Sequence, residues 1–461
     1  MKSFISLTVL AVFVITLLPG CCTDPVNGES YMCLANISEE DEIALGQQYA
    51  PTFRAESGGA YPDPKLHAML EDIVINKMAK KSHRAHLPWE FTILNTSEVN
   101  AFAVPGGQVF VTRGLLARLD NEAQFAQLMG HEIGHVSHRH SVRGQNRGVL
   151  LGVAVAAVGI ATDQIFDPDE ENIVRTVTLA GAGLASSLTF LKFSRDQEIQ
   201  SDRRGIDYAF EAGYDPRESK KTFEMFREMK EASGHSENLI TGLLSTHPLD
   251  SDRIDQIDEY IGEYYPDVSD NSGGNLVVSS SNWPQNLNRL KSAQAVYERY
   301  DEAMAMVASA ADKKDLASLD TAETILRECI KKLPKHAVFH AGLGQLDMER
   351  DDLNAAERDF GEAARLDPDN FVSRFYLGII HMQRDRSGDA TRELHAAHQL
   401  HPLHPLPCFF LGQLFKDKGD VESARTWFNS TIERSPRGSD IRRQARAELD
   451  ELGSGAPSDP A

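Results

Sequence analysis

The residues best able to do chemistry are His131, Glu132 and His135, in the run His131-Glu132-Ile133-Gly134-His135. On an α-helix, side chains four apart share a face and stand about 6 Å apart, so both imidazoles can aim a ring nitrogen at one ion. Glu132, one position on, flanks the same ion and can reach a water beside it. This H-E-x-x-H spacing suits zinc-assisted hydrolysis of a peptide bond, with two neutral imidazole ligands and a carboxylate as general base. The third ligand decides the subclass. A third histidine six residues after His135 is excluded, because Ser141 stands there and His138 stands where that pattern needs glycine. A carboxylate on a second helix is the other solution. Glu198 is the best candidate, and Asp202, four residues on and on the same face, can accept the outer N–H of a ligating histidine. Glu170 and Glu171 compete, although they follow the loop-like run Asp167-Pro168-Asp169.

These side chains need helices and something to pack them against. Asn121 with Gln124 three residues on reads as a helix start, and Phe125, Leu128 and Met129 continue a helical period into the motif. Residues 38–264 are mainly helical in pattern, with one β patch: Phe91–Leu94 and Gln108–Thr112, separated by the turn run Pro105-Gly106-Gly107. Gly148 to Ala161 is apolar but too short to span a bilayer, which predicts a buried helix. His67, His83, His86, His138 and His140 are expected to be surface or supporting residues. His138 shares the face of His131 but lies too far along the axis for the same metal.

The C-terminal third repeats. Pro334, Pro368, Pro402 and Pro436 recur every 34 residues. Leu343-Gly344, Leu377-Gly378 and Leu411-Gly412 keep step, as do Ala322, Ala356, Ala390 and Ala424. So do Leu326, Phe360, Leu394 and Phe428. That period resembles the tetratricopeptide repeat: small residues let paired helices close up, large apolar ones fill between them, and proline stops the second helix. His340, Arg374 and Cys408 stand where tryptophan is common in that repeat. Such an array offers a concave surface for polypeptide, or serves as a spacer.

The expected fold class is therefore mainly α: a helical zinc-metallopeptidase domain with a small β-sheet, then an α-solenoid. The expected divisions are a signal peptide at 1–20, a peptidase domain at 36–265, a linker at 266–285, repeats at 286–452 and a disordered tail at 453–461. The apolar run Phe4–Leu18 after Lys2, ending Leu18-Pro19-Gly20-Cys21, resembles a bacterial lipoprotein signal with Cys21 as the acylated residue, although proline is unusual there. A plain secretory signal is the alternative. Cys22 and Cys33 are close enough in sequence to pair after export, and no C-x-x-C pair suggests a cysteine metal site. A net charge of −21 leaves no basic surplus to replace counterions, which excludes nucleic acid as a partner.

Several ordered motifs together resemble the HtpX and CAAX-prenyl-protease family over roughly residues 40 to 260. They are Asn100-Ala101-Phe102-Ala103-Val104-Pro105-Gly106-Gly107, His131 to His135, Ser194-Arg195 with Glu198 and Asp202, and Ser245-Thr246-His247-Pro248 with Arg253-Ile254. With the repeats and the N-terminal run, the chain is most similar to the BepA-like branch, periplasmic proteases of outer-membrane quality control. Ser201 stands where that family usually has alanine, and the transmembrane helices of HtpX-type members are absent. The resemblance implies one Zn²⁺ per chain held by His131, His135 and Glu198, with Glu132 as base. It implies His247 as oxyanion donor or as a ligand that blocks the site until substrate arrives, and Arg253 as structural. It also implies a substrate edge along Asn100, Ala101, Phe102, Gly106 and Gly107, where an extended polypeptide adds as a strand. The expected partners are unfolded or misassembled envelope proteins and outer-membrane assembly machinery reached through the repeats. The expected place is the periplasm, lipid-anchored to the outer membrane. The rival from another class is a repeat-based chaperone or scaffold with a latent peptidase.

Overall fold

The computed structural model describes residues 20–33, 37–143, 193–233, 241–248, 251–269, 276–313 and 315–453. The Gly148–Ala161 run, Glu170 and Glu171 lie outside the described residues, as do all but the last residue of the expected signal segment and most of the tail. In chain order, β1 (Gly20–Thr23) and β2 (Ser30–Cys33) form an antiparallel hairpin, and α1 (Glu39–Glu56) and α2 (Pro64–Glu71) follow. Next come β3 (Glu90–Leu94), β4 (Ala101–Val104) and β5 (Gln108–Thr112), a single turn α3 (Arg113–Leu116), and α4 (Glu122–Ser137). Then α5 (Arg195–Glu211), α6 (Glu218–Ser233), α7 (Thr241–Thr246), α8 (Ser251–Tyr264) and α9 (Pro266–Ser269) complete the first half.

The sheet has strand order β3-β5-β4, with β3 parallel and β4 antiparallel to β5. Side-chain alternation sends its two faces to different partners. Phe102 and Phe110 stack with centroids 4.9 Å apart beneath Phe53 of α1. Ala101, Ala103, Val109 and Val111 join the core that holds Phe125, Met129 and Ile133 of α4. A helix so placed must be apolar nearly all round, and in α4 every residue but Leu128 is buried. Asn121 starts it as expected, its Oδ1 accepting the Gln124 N–H at 2.9 Å. Its far end is held from outside: Arg84, fully buried, donates to the Val136 carbonyl at 3.0 Å and to Glu42 of α1 at 2.7 Å.

The second half is helical: α10 (Trp283–Lys313), α11 (Leu316–Lys332), α12 (Ala337–Glu349), α13 (Leu353–Leu366), α14 (Phe371–Gln383), α15 (Ser387–Leu400), α16 (Pro405–Asp417), α17 (Val421–Arg434) and α18 (Asp440–Glu451). The 34-residue pattern has a physical counterpart in three successive pairs. A Cβ on Gly344, Gly378 or Gly412 would stand 2.9, 2.6 and 2.6 Å from Phe360, Leu394 and Phe428 respectively. Only glycine lets the large side chain of the second helix sit on the backbone of the first.

Most described residues of the 266–285 stretch are exposed, yet its backbone is pinned in place. Its described part packs on the peptidase half: the Ala123 N–H donates to the Val278 carbonyl at 2.9 Å, and the Ser280 N–H to Glu122 at 2.9 Å. Trp283, Leu287, Leu290 and Tyr297 of α10 then lie in the same core as Phe125 and Ile133. Arg113 after β5, 1% exposed, lies 3.6 Å from the Tyr297 ring centroid and donates to Gln294 at 2.7 Å. Serine and glycine content hid this because the anchoring contacts come from distant backbone. Truncation should respect it. A chain ending at 285 is expected to lose cooperative thermal unfolding, since it strips Leu287, Leu290 and Tyr297 from the core, each worth roughly 1.5–3 kcal/mol of burial. A chain ending at 352 should keep a sharp melt by circular dichroism; equal melts for the two would contradict the shared core.

Candidate metal centre

Two helices make the site by lying unusually close. Gly130 of α4 faces Gly205 of α5, where an added Cβ would stand 2.6 Å from the Gly205 carbonyl oxygen. Gly134 faces Ser201, with the same test giving 3.1 Å to its Cα. The serine standing in place of alanine is thus tolerated because it is still small. α5 begins with the capping box Ser194–Gln197, which sets Glu198 in its first turn under the two histidines of α4.

The ligand atoms converge. His131 Nε2 and His135 Nε2 are 2.9 Å apart, and Glu198 oxygens lie 3.6 and 3.4 Å from them. His247, just past α7, puts Nδ1 3.3 Å from His131 Nε2 and 3.1 Å from Glu198 Oε1. Corners of a tetrahedron with ligands about 2.0–2.1 Å from zinc are about 3.3 Å apart, and these five separations bracket that value. Histidine and carboxylate are also the donor types zinc takes, so His131, His135, Glu198 and His247 could together hold one ion. Among the described residues no other such group occurs.

Outer contacts orient these side chains. Asp202 accepts from His131 Nδ1 at 2.8 Å, the contact expected from its place one turn after Glu198. Arg253, taken from the sequence as structural, joins both carboxylates: 2.7 Å to Glu198 and 2.7 and 2.8 Å to Asp202. Phe193 stacks on the His135 ring, with centroids 3.8 Å apart. Burial pushes His135 well below the usual histidine range, keeping it in the neutral form a metal ligand needs. Burial opposes charge on Glu198 too, but His247, His135 and His131 outweigh it and hold that carboxyl well below its ordinary value. Glu132 is 3% exposed and shifted upward, chiefly by burial, with its carboxyl accepting the Ala103 N–H from β4. Its Oε1 stands 3.6 Å from His247 Nε2, a buried atom with no hydrogen-bond partner.

Of the residues expected along a substrate edge, Ala101 reaches the site. It lines a cavity of about 40 Å³ with His131, Glu132, Leu128, Phe223 and Leu243. Asn100 is fully buried, with both carboxamide atoms unpartnered. Phe102 instead points into the core beneath α1. Gly106 and Gly107 form the β4–β5 turn at φ of 82° and 97°, with Gly106 tight against Ile43 and Gly107 against Trp89. Three other histidines stand apart from the metal group: His67 bonds the Phe91 carbonyl at 3.0 Å, His83 the Tyr208 hydroxyl at 2.7 Å and His86 Glu39 at 2.8 Å. His138 bonds Asp24 of the N-terminal hairpin at 2.7 Å, and His140 contacts His135. Cys21 lies in β1 opposite Met32, Cys22 is disulfide-bonded, and Cys329 and Cys408 are free. No described helix is long and apolar enough to cross a membrane.

Asp202→Asn is expected to weaken zinc binding about 10- to 100-fold, the usual consequence of losing an outer carboxylate partner. Chelator competition measures it; unchanged affinity would mean that His131 needs no such support.

Residues 63–261 match the sequence profile of Peptidase family M48. The mitochondrial metalloendopeptidase OMA1 of Arabidopsis thaliana is 30% identical over 192 residues, 40% of this chain and 36% of that protein. The beta-barrel assembly-enhancing protease of Escherichia coli K12 is 29% identical over 223 residues, 48% and 44% of the two chains. The chain thus spans less than half the length of these relatives. Among solved structures, yeast Tom70 aligns with a TM-score of 0.30 at 13% identity, over 74% of this chain and 81% of that one. The metal-ligand cluster and the profile match fall on the same segment: residues 63–261 are a peptidase domain of family M48, followed in this chain by an α-helical repeat array.

Proposed function

We propose that the chain is a zinc-dependent endopeptidase acting on unfolded or misassembled polypeptide. The observation that carries this is the cluster of His131, His135, Glu198 and His247 at tetrahedral spacing, with the buried Glu132 carboxyl beside it. Bound zinc supplies a Lewis acid that polarises water and the scissile carbonyl. Glu132 takes the proton of the attacking water and passes it to the leaving amine, and its upward shift favours that exchange. β4 pairs only with β5 among the described residues, and the Thr112 N–H bond to the Asn100 carbonyl turns Asn100 toward β5. Alternation then turns the backbone of Ala101 and Ala103 outward, where a substrate strand can add. Ala103 already spends its N–H on Glu132, so Ala101 is the free rung.

His247 supports a closed resting site. Its Nδ1 would stand as a fourth donor beside His131, His135 and Glu198, and substrate would have to displace it. The alternative, an oxyanion donor through the unpartnered Nε2, predicts the opposite response to substitution.

The cellular reading rests on the N-terminal run before Cys21, the disulfide at Cys22 and the likeness to a beta-barrel assembly-enhancing protease. We place the protein in a bacterial periplasm, lipid-anchored through Cys21 to the outer membrane. There its repeats would recruit misassembled envelope proteins or their assembly machinery. A chaperone or scaffold with a silent peptidase is the rival, and the complete ligand-and-base set speaks against it.

Glu132→Gln should lower cleavage of an unfolded protein by about 10² to 10⁴ with zinc content unchanged; equal turnover in both chains would overturn the peptidase reading. His247→Ala should raise cleavage above wild type. A fall by about 10² to 10³ would instead make His247 the oxyanion donor.

A further inference from the structure

α4 ends in a turn that folds the chain back on the metal cluster. Arg139 takes the left-handed conformation at φ 57°, the His140 N–H reaches the His135 carbonyl at 3.0 Å, and the Arg139 N–H reaches Val136 at 3.1 Å. In this Schellman ending, the second residue beyond the cap lies over the third helical residue from the end, usually as an apolar contact. Here both positions are histidine, and their Nδ1 atoms are 2.9 Å apart. One nitrogen must donate and the other accept.

The direction is set from the far side. Arg143 Nη1 lies 3.2 Å from the Gln200 side-chain atom assigned as Oε1, and a guanidinium has only donors, so that atom must be the amide oxygen. His140 Nε2, 3.0 Å from the same oxygen, therefore carries a proton and donates to it. In the neutral ring His140 Nδ1 is then an acceptor, His135 Nδ1 carries the proton, and His135 Nε2 presents its lone pair to the cluster. The Ser201 hydroxyl, 3.2 Å from His140 Nδ1, is a second donor to that nitrogen. Gln197 Nε2 holds the His140 carbonyl at 3.4 Å.

Arg143 is itself held by the N-terminal hairpin. Asp24, 1% exposed, accepts from Arg143 at 2.8 Å and bonds His138 Nδ1 at 2.7 Å. The His138 ring lies parallel to that of His140, with centroids 5.1 Å apart. Asp24 precedes the segment that matches the peptidase family.

We propose that His140 is the positioning residue for His135. Gln200 and Arg143 fix its tautomer, and Asp24 makes the N-terminal hairpin part of the metal site's support. The role matches that of Asp202 toward His131, but with a neutral acceptor. That difference suits a buried site already holding Glu132, Glu198 and Asp202, where a fourth carboxylate would add uncompensated charge. The proposal rests on reading His135 as a ligand.

The test measures zinc affinity by chelator competition, and the visible spectrum of the cobalt-substituted protein, for the full chain and its His140→Phe and Asp24→Ala variants. His140→Phe is expected to weaken zinc about 10- to 100-fold and to alter the cobalt spectrum, while the melting temperature of the metal-stripped protein stays that of wild type. Asp24→Ala should shift affinity in the same direction. Wild-type affinity and spectrum in His140→Phe would overturn the proposal. If His140→Phe does not fold, Gln200→Leu, which keeps the ring but frees its tautomer, carries the same expectation and the same overturning result. His135→Ala separates the two layers. Zinc lost there but kept in His140→Phe sinks only the positioning role, whereas zinc kept in His135→Ala sinks the ligand reading and this proposal with it.

Discussion

The close approach of α4 and α5 is the constraint on which the site depends. Metal ligands from two helices must bring their atoms within about 3.3 Å of one another, so the backbones must nearly touch. Gly130 opposite Gly205, and Gly134 opposite Ser201, provide that contact. Any side chain larger than hydrogen at Gly130 or Gly205 would push the helices apart and carry Glu198 away from His131 and His135. The sheet and α1 serve the same end from behind: α4 is buried nearly all round because each of its sides is pressed by another element, and the His-Glu-x-x-His face is the side left for chemistry.

Closeness brings an electrostatic problem. Glu132, Glu198 and Asp202 are all at most 6% exposed, and buried carboxylates at such separations repel. Arg253 answers part of this, bonding Glu198 and Asp202 together, and it is itself 2% exposed. Removing Arg253 would leave two buried charges without their cation, a loss on the order of 3–5 kcal/mol in comparable pairs. Glu132 lies outside that bracket. Its partners are the Ala103 N–H and His247, which leaves it the carboxyl most ready to gain a proton.

Much of this site was legible in the sequence, for definite reasons. His131 and His135 follow from helical spacing. Glu198 and Asp202 follow from the same spacing on a second helix, and the 34-residue repeat is visible because each pair reuses the glycine-on-aromatic or glycine-on-leucine contact. His140 was not legible as a partner of His135. Its place depends on a left-handed residue that is arginine rather than the glycine that would advertise such a turn. Asp24 was hidden for another reason: it reaches His138 across 114 positions of sequence, through a hairpin with no strong strand signal. Phe102 misled in the opposite sense, since it shares a motif with Ala101 but alternation puts its side chain on the other face of the sheet.

The same distinction bears on how the two halves work together. Composition marks 266–285 as a place where chains usually separate, yet α10 is packed into the peptidase core through Trp283 and Tyr297 and clamped by Arg113. A second contact closes the arrangement, because His401, after α15, lies 3.3 Å from Thr52 of α1, both of them buried. A tethered array on a flexible linker would raise local substrate concentration in every direction. An array fixed at α10 and again at α1 holds its surface at a set orientation to β4, which pairs only with β5 among the described residues. Under the proposed function, recruitment by such an array would select polypeptides long enough to engage the repeats while an extended stretch lies along Ala101, so geometry, as much as side-chain preference, would decide what is cut.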